Sequence, residues 1–308
     1  MNAQLLIAAA IASGTPLLLA ALGELVTERA GVLNLGVEGT MLIGAVSGFI
    51  ATVVSGSVWI GLVTAAAAGM LFGLVFAGLV VTLRLNQVVT GLAFTVLGTG
   101  ISSFLGKGFI GIPTPQTVPK LDFGSLSDLP IVGITLLNQN ALAYFAVAMT
   151  LLTSIYLHRT RPGLILKALG ESPDVLDTLG FNVQALRYAH VMAGTALVAL
   201  GGAYLSLAYT PSWVDNMTAG RGWIALALVI FAGWRPWGVL FGAYLFGAID
   251  ALRFRIQIGG APIIDQHFLN MFPYLATLLV LMVVSGSAEK RRVSAPTALG
   301  VAYDRERR

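Results

Sequence analysis

The sequence has 308 residues and no cysteine, which excludes a disulfide framework, a thiolate metal site and a cysteine nucleophile. Charge is scarce: Asp, Glu, Lys and Arg make up 10% of the chain, well below the share found in soluble domains. The three histidines, His158, His190 and His267, show no HExxH spacing, and no apolar run, as bounded below, pairs two acids for membrane metalloprotease chemistry. Ser55, Ser57, Ser285 and Ser287 lie near glycines at the edges of apolar runs without an evident base, and they read as helix-end turns. The phosphate-cradling GxxxxGK[ST] stretch is missing too, so the chain does not hydrolyse ATP alone.

What is present is apolar: 56% of residues are hydrophobic and mean hydropathy is +0.84. Runs of about 18 or more such residues recur along the chain, each long enough to cross ~30 Å of hydrocarbon as a helix. Strict alternation, the mark of a membrane β-barrel, is absent, so the spanning class is α-helical. Candidate spans lie near residues 3–22, 36–54, 57–82, 88–105, 140–158, 188–209, 221–234, 237–252 and 268–285. The fold class predicted is therefore an all-α integral membrane protein with about nine, within eight to ten, transmembrane helices. The first run lacks the basic flank of a signal peptide and reads as a permanent span. The run at 221–234 is short and reads as broken or re-entrant. Residues 1–285 form the membrane domain, with a polar connection at 159–187, and residues 286–308 form a basic tail.

The net charge of +4 resides in short loops and the tail, which signals topology rather than nucleic-acid binding. With 159–187 and the tail on the cytoplasmic side, that side collects Arg29, Arg84, Arg159, Arg161, Lys167, Arg187, Arg235, Lys290, Arg291, Arg292, Arg305, Arg307 and Arg308. The other side keeps Lys107, Lys120, Arg221, Arg253 and Arg255. This bias puts the C-terminus inside and the N-terminus outside, in agreement with nine crossings. The proline-bearing loop at 106–139, with Pro113, Pro115, Pro119 and Pro130, is then external and irregular.

A shift of 169 positions aligns "GMLFGLVFAGL" with "GVLFGAYLFGA", matching Gly69 to Gly238, Leu71 to Leu240, Phe72 to Phe241, Gly73 to Gly242 and Gly78 to Gly247, with Arg84 falling on Arg253. Chance matching of glycine-rich helices is one reading, since GxxxG marks close packing in any case. The other is an inverted-topology internal repeat, because the first copy descends and the second ascends.

The polar connection "HRTRPGLILKALGESPDVLDTLGFNVQALRY" carries its own signals. Ser172 can cap a helix that starts at Pro173, with Asp174 in its first turn and Gly180 as a left-handed stop. Val175, Leu176 and Leu179 supply an apolar face while Asp174 and Asp177 stay wet. Such a short amphipathic helix either links two spans or fits a partner's groove.

Four stretches resemble a known family: "ALGELVTERAGVLNLGVEGTMLIGA", "LNQVVTGLAFTVLGTGISSF", "RPGLILKALGESP" and "TAGRGWIALALVIFAGWRPWGVLFGAYLFGA". They are similar to permease subunits of ABC importers in the branched-chain amino acid, simple sugar and nucleoside group, most of all the nucleoside-type permeases. The resemblance covers roughly residues 15–285 and implies a place in a bacterial or archaeal cytoplasmic membrane. It implies partners: an ABC ATPase subunit, a second permease that is paralogous or identical, and an extracytoplasmic solute-binding lipoprotein. No cofactor is then bound by this chain, and ATP with Mg belongs to the ATPase. The stretch with Gly170, Glu171, Pro173, Asp174, Val175, Leu176, Leu179 and Gly180 matches the coupling region that docks on the ATPase. Its "DVLDTLG" departs from the usual small residues, which leaves the detailed contacts open.

In "GVLNLGVEGTM", Asn34 and Glu38 stand four apart and share a face if that segment is helical. Asn86 and Thr90 repeat the spacing beside Gln87. Amides and hydroxyls suit an uncharged polar cargo such as a nucleoside or sugar, because each donates and accepts. The polar groups either fix a helix break or touch cargo. Phe94 and Phe231 are candidates to stack on a base, and Tyr209, Trp213 and Trp223 read as interfacial anchors. The rival class is an ion-coupled secondary transporter or channel. Against it, Asp250 is the only acid well inside an apolar run as bounded here, and Arg253 lies one turn away.

Overall fold

The computed structural model describes residues 3–121, 124, 133–258, 271, 275 and 295–304. All of the segment 268–285 but residues 271 and 275, most of the tail and Pro130 lie outside the described residues, as does His267. Ten α-helices follow in order: α1 (Ala3–Arg29), α2 (Val37–Ser55), α3 (Val58–Ala77), α4 (Gln87–Gly106), α5 (Ala141–Arg159), α6 (Arg161–Glu171), α7 (Pro173–Thr178), α8 (Val183–Tyr204), α9 (Arg221–Phe231) and α10 (Pro236–Ile258). Wide π turns extend α3 through Gly78–Thr82 and α8 through Leu205–Tyr209. Among the described residues there is no strand, only two isolated bridges. Among the described residues, six helices are long and apolar enough to cross a membrane: α1 to α5 and α8.

Two ends of the bundle are defined by contacts between distant segments. At one end Arg29 Nη2 donates to the Trp234 carbonyl at 3.0 Å, Ala298 N donates to the Gly170 carbonyl at 2.8 Å, and Arg84 pairs with Asp304 at 2.9 Å. The ends of α1, α3, α6 and α9 and the segment 295–304 therefore meet there. At the other end Gln139 Nε2 reaches the Ala8 carbonyl at 3.4 Å, and Pro113 and Lys120 bridge to Ser212 and Asn140. The first end carries Arg29, Arg84 and Arg187 beside the 295–304 segment, so we call it the basic end.

Helices approach through glycine. A methyl group on Gly23 of α1 would strike the Gly194 carbonyl of α8, and one on Gly98 of α4 would strike the Gly39 backbone of α2. Small residues let backbones close to van der Waals distance, the main attraction available between helices in lipid.

The hydropathy pattern ends the first span at residue 22, but α1 continues to Arg29. Glu24 and Glu28 do not end it because both are buried in protein rather than exposed to lipid. They form a pair of acids on one helix, and Asp250 is therefore not the only acid inside an apolar run. Trp213 is another correction. It is 1% exposed and its indole lies over Gly106 at the end of α4, where any side chain would clash; it is a core residue, not an interfacial anchor.

Candidate functional site

The connection between α1 and α2, residues 30–36, is not helical. Asn34 therefore does not share a helical face with Glu38, which sits in the first turn of α2. Buried backbone outside a helix needs partners for its amides. Leu33 N donates to Gln87 Oε1 at 2.7 Å, Asn34 N donates to Glu24 Oε1 at 3.1 Å, and Gly36 N donates to the Asn34 side-chain oxygen at 2.9 Å. Gln87 is thus drawn in from the start of α4. Its neighbour Asn86 is exposed and caps α4, accepting from Val89 N at 3.1 Å.

Glu38 holds the start of α9. Its Oε1 accepts from Thr218 Oγ1 at 2.6 Å and Gly220 N at 2.8 Å, and its Oε2 accepts from Gly222 N at 2.6 Å. The first turn of any helix leaves amides unpaired and carries partial positive charge, so a carboxylate is a fitting partner. Upstream, residues 210–220 run largely outside helix, with left-handed backbone at Asn216, Ala219 and Gly220. With 11 residues, α9 is about 16 Å long, roughly half a hydrocarbon core. The short run at 221–234 is thus a half-length helix that begins inside the bundle. Its other end is also fastened: Trp234 Nε1 donates to Glu28 Oε2.

Arg221 opens α9 where a cation is unfavourable. Asp250 faces it at 3.4 Å and also meets Ser13 at 2.5 Å and Arg253 at 3.7 Å, while the Tyr209 ring lies 5.9 Å from the guanidinium. The expected Asp250 and Arg253 neighbours are thus joined by two residues from other helices.

Thr90 and Phe94 are buried on the α4 face that meets the α1–α2 connection. Phe94 packs against Phe72 in a tilted and Phe76 in an edge-on arrangement, at 4.7 and 5.3 Å between centroids. Asn34, Glu38, Gln87, Thr90 and Phe94 therefore gather about the α1–α2 connection and the start of α2, which meets α4 and α9, whereas Phe231 lies with Trp237 and Phe241 beside another groove. Sequence reading missed Glu24, Glu28, Thr218 and Trp234. The signal for the acids was their spacing of four in "GELVTER", directly after an apolar run.

The second candidate surface lies at the basic end. Thr160 caps α6, accepting from Gly163 N at 3.2 Å, and α6 is a helix the expected connection did not contain. Ahead of α7, Ser172 stands at the capping position without a side-chain bond, and Gly180 closes the following turn at φ 86°. Pro173 and Leu176 are buried, so Leu176 packs inward rather than joining an exposed apolar face. Val175 and Leu179 are 56% and 68% exposed. Asp174 is exposed, as expected, and Asp177 partly so. On α6, partial burial and the charge of Arg29 pull Lys167 below the ordinary lysine range. A groove of about 640 Å³ is lined by residues 171–175 on one side and by 297, 298 and 301–304 on the other.

A bundle of membrane-length helices enclosing a half-length one defines a multi-pass α-helical membrane protein. Residues 6–284 match the family described as branched-chain amino acid transport system / permease component. The chain is 41% identical to a putative glucose ABC transporter permease protein of Haloferax volcanii, covering 98% of both chains. It is 32% identical to a nucleoside ABC transporter permease protein of Lactococcus lactis, over 97% of this chain and 96% of the relative. It is also 32% identical to a guanosine ABC transporter permease protein of Bacillus subtilis, over 99% and 98%. No solved structure matches. The chain belongs to this permease family and acts as a permease subunit of an ABC importer. Family membership, not the number of buried acids, sets it apart from ion-coupled transporters.

Proposed function

We propose that the chain translocates a small polar solute, a nucleoside or simple sugar, across the cytoplasmic membrane, driven by ATP that a partner ATPase binds with Mg and hydrolyses. The observation that carries this reading is its near full-length identity of 32 to 41% with permeases named for glucose, nucleosides and guanosine. A solute-binding lipoprotein delivers the cargo, and a second permease completes the pathway. The basic end is cytoplasmic, as is the C-terminus, which fits the excess of arginine there. The membrane domain extends through residue 285 with about nine spans. The antiparallel run of α3 and α10, one ending and one starting at the basic end, supports the inverted repeat.

Within this reading, α7 is the foot that receives the ATPase. Its inner side, Pro173 and Leu176, is held in the core while Val175 and Leu179 stay uncovered, an arrangement that transmits force instead of bending. Glu38, Asn34, Gln87, Thr90 and Phe94 shape the solute path by fixing the α1–α2 connection and the start of α9, with Asn86 at its cytoplasmic edge. Neutral amides and hydroxyls beside aromatic rings suit a cargo of hydroxyls and flat rings.

The test is uptake by proteoliposomes that hold the complete complex with its binding protein. ATP-dependent accumulation of labelled guanosine or glucose is expected. Uptake by vesicles with this chain alone, without ATPase or nucleotide, overturns the reading.

A further inference from the structure

Residues 296–298 lie between two glycines from different parts of the fold. On one side is Gly170, at the end of α6: a methyl there would sit 2.5 Å from the Arg29 carbonyl and 3.0 Å from Pro296 Cβ. On the other is Gly31, which opens the α1–α2 connection at φ 78°: a methyl there would sit 3.3 Å from the Ala298 carbonyl and 3.1 Å from Arg187 Nη2. Both seats are thus shaped for this segment.

The segment is also tied down on both sides. Ala298 N donates to the Gly170 carbonyl at 2.8 Å and Thr297 Oγ1 donates to Glu171 Oε2 at 2.7 Å, which joins it to the last turn of α6, one residue ahead of α7. Arg187 Nη1 donates to the Val301 carbonyl at 3.4 Å. Asp304 pairs at 2.9 Å with Arg84, three residues before the Gln87 that holds Leu33 N. Two routes therefore run to residues 31–36 from the end of α6, on which α7 packs: one through Ala298 to Gly31, the other through Asp304, Arg84 and Gln87 to Leu33.

We propose that residues 295–304 are a positioning element that carries displacement of α7 to the α1–α2 connection, with Thr297 and Asp304 as its points of attachment. This rests on the reading that α7 receives the ATPase. Packed elements with two discrete arrangements transmit such shifts, and a loose tail would not.

The absence of cysteine makes a cargo-independent test direct. In the full complex, Leu33→Cys is the sole thiol of this chain, and its labelling by a maleimide is followed with and without ATP and Mg. The expected result is an ATP-dependent change in labelling rate of about threefold or more, abolished when the chain ends at Ser294 although the ATPase still co-purifies. A change that persists in the shortened chain, or its absence from the full-length one, overturns the proposal. Should the shortened chain not assemble, Arg84→Asp and Asp304→Arg replace it. Each alone is expected to weaken the ATP-dependent change and the pair to restore it; singles without effect, or loss without recovery, overturn it equally. Failure of the underlying reading is separate: the ATPase then remains bound to a chain carrying Val175→Asp and Leu179→Asp.

Discussion

Glu38 on α2 and Gly222 on α9 meet so closely that the Gly222 amide donates to the carboxylate at 2.6 Å and a methyl on Gly222 would sit 2.5 Å from Glu38 Cα. The contact joins residues 184 positions apart and sets where the half-length helix begins. Glu38→Ala leaves Thr218 Oγ1 and the Gly220 and Gly222 amides without their acceptor. A buried donor left unpaired costs about 1–3 kcal/mol, so for three of them a loss of at least about 3 kcal/mol is expected. Thermal unfolding in detergent measures it, and Glu38→Gln, which keeps one acceptor oxygen, should lose less than half as much.

Gly222→Ala tests the same contact from the α9 side. The added methyl meets backbone, which cannot rotate away, so α9 must shift from α2 and the Glu38 bonds lengthen. Overpacking of this kind costs about 1–3 kcal/mol. Combined with Glu38→Ala, the effects should fall short of their sum, because both remove one contact. A double-mutant cycle on the unfolding midpoint decides it.

Much of this organisation was legible in the sequence. Seven of the nine expected spans coincide with long or half-length helices, 237–252 falls within α10, and 268–285 lies, but for residues 271 and 275, outside the described residues. Hydrophobic length specifies a crossing because lipid leaves the backbone no other partner. Pro173 and Gly180 also marked the limits of α7, since each acts on its own backbone. What escaped notice depends on distant partners. The hydropathy window stopped at Leu22 because it counts Glu24 and Glu28 as polar, and nothing local tells that Asn34 N and Trp234 cover them. Likewise Leu176 and Val175 are alike in composition, and only packing decides that one faces inward. The seat of residues 295–304 depends on Gly31 and Gly170, whose closeness to Ala298 and Pro296 arises only in the folded chain.

The bond from Trp234 Nε1 to Glu28 predicts a second stability effect. Trp234→Phe keeps most of the apolar area but removes the indole donor from the buried Glu28 carboxyl group. A buried polar atom left unpaired costs about 1–3 kcal/mol, so the unfolding midpoint should fall by several degrees. Trp237→Phe, at an exposed ring on the next turn, should leave it within experimental error. Equal effects at both positions would show that the Glu28 contact contributes little.

The two sides of α7 make the sharpest contrast. Val175→Asp with Leu179→Asp adds charge to side chains that are already exposed, so the isolated permease should keep its unfolding midpoint within about a degree, as surface substitutions do. The same pair should abolish co-purification of the ATPase, because an apolar contact that must be desolvated cannot accept two carboxylates. Leu176→Asp is expected to do the opposite. It places an acid in the core cluster where Leu176 is 3% exposed, at a cost of about 3–5 kcal/mol, and the permease itself should express poorly. Were the Val175 and Leu179 pair to retain the ATPase at wild-type stoichiometry, the motor must grip another part of the basic end, and the groove beside residues 297–304 would be the next surface to probe.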